Sequence, residues 1–346
     1  MEKNNINKHV VILKNDAVGD LVHSLNAIDR IVNDAKNLKI TIFLSKLSEK
    51  FAFLIRNPKI DIKVLNYDLS INEKIKIFRF LSVNRIDKLY ILSPKNFYYY
   101  LPLFFKKIKF YAICVNGINN YRRPSEFLRK FLFKYEINNR EVAFKRNSTK
   151  LIQQLLTSES PFHDFEITKN SKISDKLLKY LPKNYIYFHL KKKIFDELGW
   201  GITELKNLFE KFNKYYPNIV LTKDIEIDEN TKLFKENFNT YNFKSNDFKD
   251  NNSKVIFFDN LEGEDLYNVI KNSQKVVAFH GMMTNLASIE KKPVLDLFYC
   301  NINTWEDYRK YRNSFYEFKP KYKGYDFIIP SKDINKTLNK ITFSFK

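Results

Sequence analysis

The sequence predicts an α/β protein of two Rossmann-like domains facing each other across a cleft. Three observations carry that expectation. Apolar runs of strand length alternate with stretches of helical period through the first part of the chain, the pattern of βαβ units and a mostly parallel sheet. A polar, aperiodic stretch, SESPFHDFEITKNSK (Ser158 to Lys172), interrupts the alternation, which restarts at Tyr185. The length of 346 residues suits two domains of about 150 residues each. The expected domains are residues 1–165 and 173–346.

In the first domain HVVIL (His9 to Leu13) reads as a buried strand, followed by the polar loop LKNDAVG and a helix beginning near Asp20, on which Leu21, Leu25, Ile28 and Val32 recur. KITIFL (Lys39 to Leu44), IDIKVL (Ile60 to Leu65), DKLYILS (Asp87 to Ser93) and KFYAICV (Lys109 to Val115) read as further strands. Between them, Ser45 to Ile55, Asn72 to Val83 and Asn96 to Ile108 have helical character. The pattern loosens from Asn119 to Tyr135, and a helix is expected from Ser148 to Leu156. In the second domain YIYFHL (Tyr185 to Leu190) is a strand, and Thr203 caps a helix carrying Leu205, Leu208, Phe209 and Phe212. NIVLT, KVIFF, KVVAF and PVLDLF supply more strands, with helices from Glu264 to Asn272, after HGMMT, and from Lys332 to Ile341.

With 44% hydrophobic and 16% aromatic residues the chain can bury sizeable cores and is not a disordered polymer. The net charge of +21 favours phosphates, nucleic acid or an anionic membrane face, although lysine-rich compositional drift produces the same number. Cys114 and Cys300 lie far apart with no metal spacing, which speaks against a disulfide framework or a zinc site and fits a reducing cytosol. The polar opening MEKNNINKH does not read as a secretory leader. The longest apolar aromatic segment, Phe97 to Phe105, is too short to span a bilayer and contains Pro102. A cytoplasmic protein, soluble or resting on the inner face of the membrane, is the expectation.

Three groups of residues could carry chemistry. Asp20, with Asn15, Asp16, Gly19 and His23 around it, stands at a strand-to-helix turn, where open α/β sheets place their ligands. A carboxylate there can take a proton from a sugar hydroxyl, kept ionised by the helix N-terminus; it can equally be a helix cap. In VVAFHGMMTNLA, Gly281 permits a tight turn after a strand, and Thr284 and Asn285 near the next helix start, together with His280, suit a phosphate. Lys191, Lys192 and Lys193, directly after a strand, could neutralise a departing diphosphate. Arg122 and Arg123, with Lys106 and Lys107, are candidates for an anionic acceptor. No Walker loop, GxGxxG, GxSxG or DxD occurs, so the usual marks of ATPases, dinucleotide oxidoreductases, α/β-hydrolases and metal-held nucleotide sugars are missing.

With these residues laid out, the chain resembles the family 9 glycosyltransferases, the heptosyltransferase group of lipopolysaccharide assembly. Members open with a strand, a loop ending in Gly-Asp, and a helix, and HVVILKNDAVGDLVHSL is similar over its length, most specifically at Gly19–Asp20. The resemblance implies the two-domain GT-B fold and Asp20 as catalytic base. It also implies a donor lysine in the loop that Lys191 to Lys193 occupy. The second motif departs from the family, whose Asp-Ser/Thr-Gly turn is followed three residues later by histidine. Here Phe279 and His280 precede Gly281, and Thr284 takes the histidine's place, so HGMMTNLA looks closer to the His-Gly…Thr-Asn-Leu turn of some other GT-B transferases.

The expected function is therefore an inverting, metal-independent glycosyltransferase of the cell envelope with no cofactor beyond its nucleotide diphosphate sugar. Asp20 would act as base, Lys191, Lys193, His280, Gly281, Thr284 and Asn285 would hold the donor, and a glycan or glycolipid would be the acceptor. The alternatives are a nucleic-acid-binding protein without catalysis, which the scatter of basic residues along the whole chain disfavours, and a GT-B-type sugar-nucleotide epimerase.

Overall fold

In the computed structural model, residues 9–35, 38–55, 57, 59–115, 126–133, 135–139, 173–224, 229–299, 315, 319–320 and 322–344 are described. The chain divides into two compact units. One comprises Met1–Thr168 with Trp305–Lys319, the other Lys169–Thr304 with Pro320–Lys346.

The first unit is built on six parallel strands: β1 (His9–Lys14), β2 (Lys39–Ser45), β3 (Ile60–Leu65), β4 (Ile86–Ile91), β5 (Lys109–Val115) and β6 (Tyr135–Asn139). Their order is β3-β2-β1-β4-β5-β6. The chain winds outward from β1 to β3 and then returns to the other side of β1 at β4. The carboxyl ends of β1 and β4 therefore flank the switch point, where the loops diverge and leave a crevice. β1 is buried along its whole length, as its unbroken apolar run requires in a doubly covered sheet.

The second unit carries β7 (Ile186–Leu190), β8 (Ile219–Lys223), β9 (Asn239–Asn242), β10 (Asp247–Lys249), β11 (Val255–Asp259), β12 (Lys275–Phe279), β13 (Val294–Leu297) and β14 (Tyr325–Ile328). Their order is β10-β9-β11-β8-β7-β12-β13-β14, parallel except for β10 against β9. Its switch point lies between β7 and β12. Leu205, Leu208, Phe209 and Phe212 of the helix Ile202–Asn213 are buried against this sheet's core, together with Phe188, Leu221 and Phe257.

Several sequence expectations shift. The helix expected near Asp20 begins at Val18, ends at Val22 and resumes as Leu25–Asp34. Between the two pieces the Ser24 hydroxyl donates to the carbonyl of Asp20 at 2.7 Å, a back-bond that bends helices. The cap expected at Thr203 is Gly201, whose N–H is taken by the Glu204 carboxylate at 2.8 Å. Ser45 to Ile55 is a short helix, Lys46–Glu49, and a 3₁₀ turn, Ala52–Ile55. Asn96 to Ile108 divides into a 3₁₀ turn, Asn96–Tyr100, and the helix Leu101–Phe104, because Pro102 cannot sit inside one continuous helix. The sequence pattern had loosened over a segment that holds the helix Glu126–Leu132 and leads to the sixth strand. The helix expected from Ser148 to Leu156 lies outside the described residues. Among those described, no helix is long and apolar enough to cross a membrane.

Candidate functional site

Each unit brings polar residues to the carboxyl ends of the two strands at its switch point. In the first, the loop after β1 is fastened from three sides. Lys14, fully buried, donates to Asp16 Oδ2 at 2.7 Å and to the Leu92 carbonyl beyond β4 at 3.4 Å. Asn15 donates to the Asn66 carbonyl at 3.1 Å and accepts from the Tyr98 hydroxyl at 2.7 Å. The Asp16 carbonyl accepts from the hydroxyls of Ser45 and Ser48 at 2.5 and 2.6 Å. Burying this many polar groups is tolerable because they are paired with one another. Gly19 lies inside the helix Val18–Val22 and is not among the glycines of positive φ.

Asp20 is the exception in this fastened loop. Ala17 is the N-cap and no side chain caps the helix, so the capping alternative for Asp20 is set aside. Its half-buried carboxylate has no hydrogen-bond partner among the described residues. Burial pushes its pKa up; Lys14 and Lys95 pull the other way and Asp16 adds to the rise. Burial thus opposes the ionised form that a helix N-terminus favours.

Neighbouring loops add groups that sequence reading missed. Lys95, after β4, donates to the Tyr67 carbonyl and lies over the Tyr67 ring, 4.3 Å from its centroid. The buried Ser93 Oγ and Asn96 Oδ1 have no partner among the described residues. The available signal was position: Ser93 to Asn96 follow β4, which pairs with β1, and Tyr67 follows β3, two strands from β1. Arg122 and Arg123 lie outside the described residues.

In the second unit the ends of β7 and β12 are adjacent, and this joins two motifs separated by about ninety residues. The Lys191 ammonium donates to the carbonyl of His280. It lies where a side chain on Gly281 would project, and Gly281 has φ 147°, a conformation open to glycine. Burial lowers the pKa of Lys191, resisted by the charges of Asp224 and Asp296. The other lysines diverge. Lys192 donates its backbone N–H to Asp224 at 3.2 Å and its ammonium to Asp196 at 2.5 Å, and Lys193 is exposed. The register left open by sequence therefore puts Lys191 at the turn.

Gly281 is the N-cap of the helix Met282–Ile289. Thr284, expected to touch a donor, is fully buried, and its hydroxyl accepts the Gly281 N–H at 3.1 Å and donates to the Gly281 carbonyl at 2.8 Å. Its one proton is spent inside the turn, which corrects the expectation of a direct ligand. Asn285 is buried, and its Oδ1 has no partner among the described residues. His280 Nδ1 lies 2.6 Å from Oδ2 of Asp296 on β13, and the Tyr325 hydroxyl donates to that same oxygen at 2.5 Å. Asp296 was not singled out in the sequence because a single acid inside PVLDLF carries no motif.

No protein-family model and no curated protein matches the chain. Solved structures do resemble it. The ADP-heptose LPS heptosyltransferase II of E. coli superposes with a TM-score of 0.63 at 12% identity, covering 97% of this chain and 98% of that one. A family 9 glycosyl transferase from Veillonella parvula gives 0.60 at 12%, over 98% and 97%. The UDP-GlcNAc 2-epimerase of Methanocaldococcus jannaschii gives 0.55 at 16%, over 98% and 93%. At these identities the likeness is one of fold. The chain has the GT-B fold of two Rossmann-like domains, in a heptosyltransferase-like form, as its opening motif led us to expect.

Proposed function

We propose that this chain is an inverting glycosyltransferase that moves a sugar from a nucleoside diphosphate sugar to a hydroxyl of a cell-envelope glycan or glycolipid. The observation that carries the reading is Asp20, a half-buried carboxylate of raised pKa without a partner among the described residues, at the switch point of a sheet of the heptosyltransferase-like fold. In the proposed reaction Asp20 takes the acceptor's hydroxyl proton as the oxygen attacks the anomeric carbon. The bond to the diphosphate breaks with inversion. Lys191, His280 and the N-terminus of Met282–Ile289 meet the charge that grows on the leaving diphosphate.

A sugar-nucleotide epimerase is the second reading, favoured by the 2-epimerases that share the fold. Incubating the protein with labelled nucleotide sugars and no acceptor separates the two. Slow donor hydrolysis supports the transferase, isomerised donor the epimerase, and no binding of any nucleotide sugar ends both.

Contact of the first unit with an anionic bilayer surface belongs to the same proposal. Ile71, Ile75 and Phe78 stand exposed on one face of the helix Ile71–Val83, and the Phe78 ring meets exposed Phe104 at 5.5 Å. Exposed Lys76, Arg79, Lys106 and Lys107 flank them. The protein should float with anionic vesicles and stay behind with neutral ones, and Phe104→Glu should weaken flotation. Equal behaviour with both vesicle types would remove this part.

A further inference from the structure

One aromatic ring near Asp20 is held in place without being buried. Tyr67 stands in the loop between β3 and the helix Ile71–Val83, and that loop is strapped down. The Glu73 carboxylate takes the N–H groups of Asn66 and Ser70, the latter at 2.9 Å. The Asn15 amide donates to the carbonyls of Asn66 and Tyr67 at 3.1 and 3.5 Å, and Lys95, after β4, donates to the Tyr67 carbonyl from the other side of β1. The backbone of Tyr67 is therefore fixed, whereas its side chain is left 43% exposed. Among the described residues its one ring contact is the Lys95 ammonium, 4.3 Å from the centroid. Tyr98 and Tyr99, in the loop after β4, are by contrast fully buried and spend their hydroxyls on Asn15 and the Ile113 carbonyl.

The surroundings of this ring narrow what it can take. Burial, and then the charges of Asp16, Asp20 and Asp68, push the pKa of the Tyr67 hydroxyl up, so the phenol is neutral at physiological pH. The charges acting on Lys95 are those of Asp16, Asp68 and Asp20 against that of Lys14. Three acids thus face two lysines, and no surplus of positive charge draws a phosphate. A neutral ligand with an apolar face fits instead, because the face of an aromatic ring is the negative end of its quadrupole and attracts polarised C–H groups. A pyranose has such a face, with hydroxyls at its edge for a neighbouring carboxylate. Lys95 takes one side of the ring, and a ring already fixed loses little freedom when its other side is covered.

We propose that Tyr67 is the platform for the acceptor: the open side of its ring stacks on the C–H face of a neutral pyranose whose hydroxyl meets Asp20. The inference rests on the transferase reading of Asp20. The test sets the whole protein on an array of bacterial envelope oligosaccharides, neutral and phosphorylated, beside calorimetric titration with ADP and UDP. Wild type should hold neutral pyranose-ended glycans. Saturation-transfer NMR of the tightest of these should show its C–H face receiving magnetisation from aromatic protons. Tyr67→Phe, which keeps the ring, should retain glycan binding. Tyr67→Ala should weaken it roughly tenfold or more and abolish the aromatic transfer, while ADP and UDP bind as they do to wild type. Tyr67→Leu keeps apolar bulk without an aromatic face and should behave in the same way; if Tyr67→Ala does not fold, Tyr67→Leu decides alone. Unchanged glycan binding in these two variants, binding confined to phosphorylated glycans, or weakened nucleotide binding in either variant overturns the inference and leaves the transferase reading standing. So does a wild type that binds nucleotide and no glycan. A wild type that binds neither overturns both.

Discussion

The two switch points solve opposite electrostatic problems with the same scaffold. At the first, nearly every polar group is tied down: Lys14 to Asp16, Asn15 to Asn66 and Tyr98, Asp16 to Ser45 and Ser48. One acid, Asp20, is left with its charge unmatched by a hydrogen bond among the described residues, and burial makes it hold its proton more tightly. At the second, the acid is the tied group. Asp296 is locked beneath His280 and Tyr325, while the cation Lys191 lies across a glycine at the start of a helix. A parallel sheet offers the same crevice in both units. Which partner is buried and which is left at the mouth makes one suited to taking a proton and the other to taking an anion.

The comparison breaks most sharply at Asp20. Asp20→Asn should lower sugar transfer by on the order of 10²–10⁴-fold while nucleotide binding is kept, measured with labelled donor; near-wild-type turnover would remove Asp20 from the chemistry. Its raised pKa gives two signs to check. Asp20 must be ionised to accept a proton, so wild-type turnover falls as pH drops through a value above the ordinary aspartate figure of about 3.9. Because the folded state binds this proton more tightly than the unfolded state, Asp20 contributes fully to stability below the ordinary value. That contribution is lost as pH rises through the raised one. Asp20→Asn should accordingly melt higher than wild type at neutral pH, with the gain absent in acid.

Gly281→Ala comes next. A methyl there meets the Lys191 ammonium and forces a left-handed backbone on alanine, so stability should fall by about 1–3 kcal/mol and nucleoside diphosphate binding should weaken with it. Retained binding would show that Lys191 does not need its present place. Lys191→Met against Lys193→Met sharpens the register. The first should weaken binding roughly tenfold or more, and the exposed Lys193 should leave it unchanged in the same titration. The smallest effect belongs to Thr284→Val, which should cost about 1–2 kcal/mol in thermal unfolding and little affinity, since its hydroxyl serves Gly281.

Local pattern determined a good deal. The apolar runs around Val11, Ile42 and Val277 made strands because residues buried on both faces need no alternation, and Leu205, Leu208, Phe209 and Phe212 made a helix because their spacing lines one face. The opening motif around Asp20 and the turn at Gly281 were legible for the same reason: each lies within a dozen consecutive residues. What tertiary structure alone decided is held by residues far apart in the chain. Lys191 was one of three equivalent lysines until the pairing of β7 with β12 set it against His280. Asp296 was an ordinary acid in a strand until β13 aligned it beneath that ring, and the pKa of Asp20 was set by burial that no neighbour in sequence reports. Helix and strand propensities are properties of consecutive residues, whereas desolvation and charge depend on what the fold packs around a group.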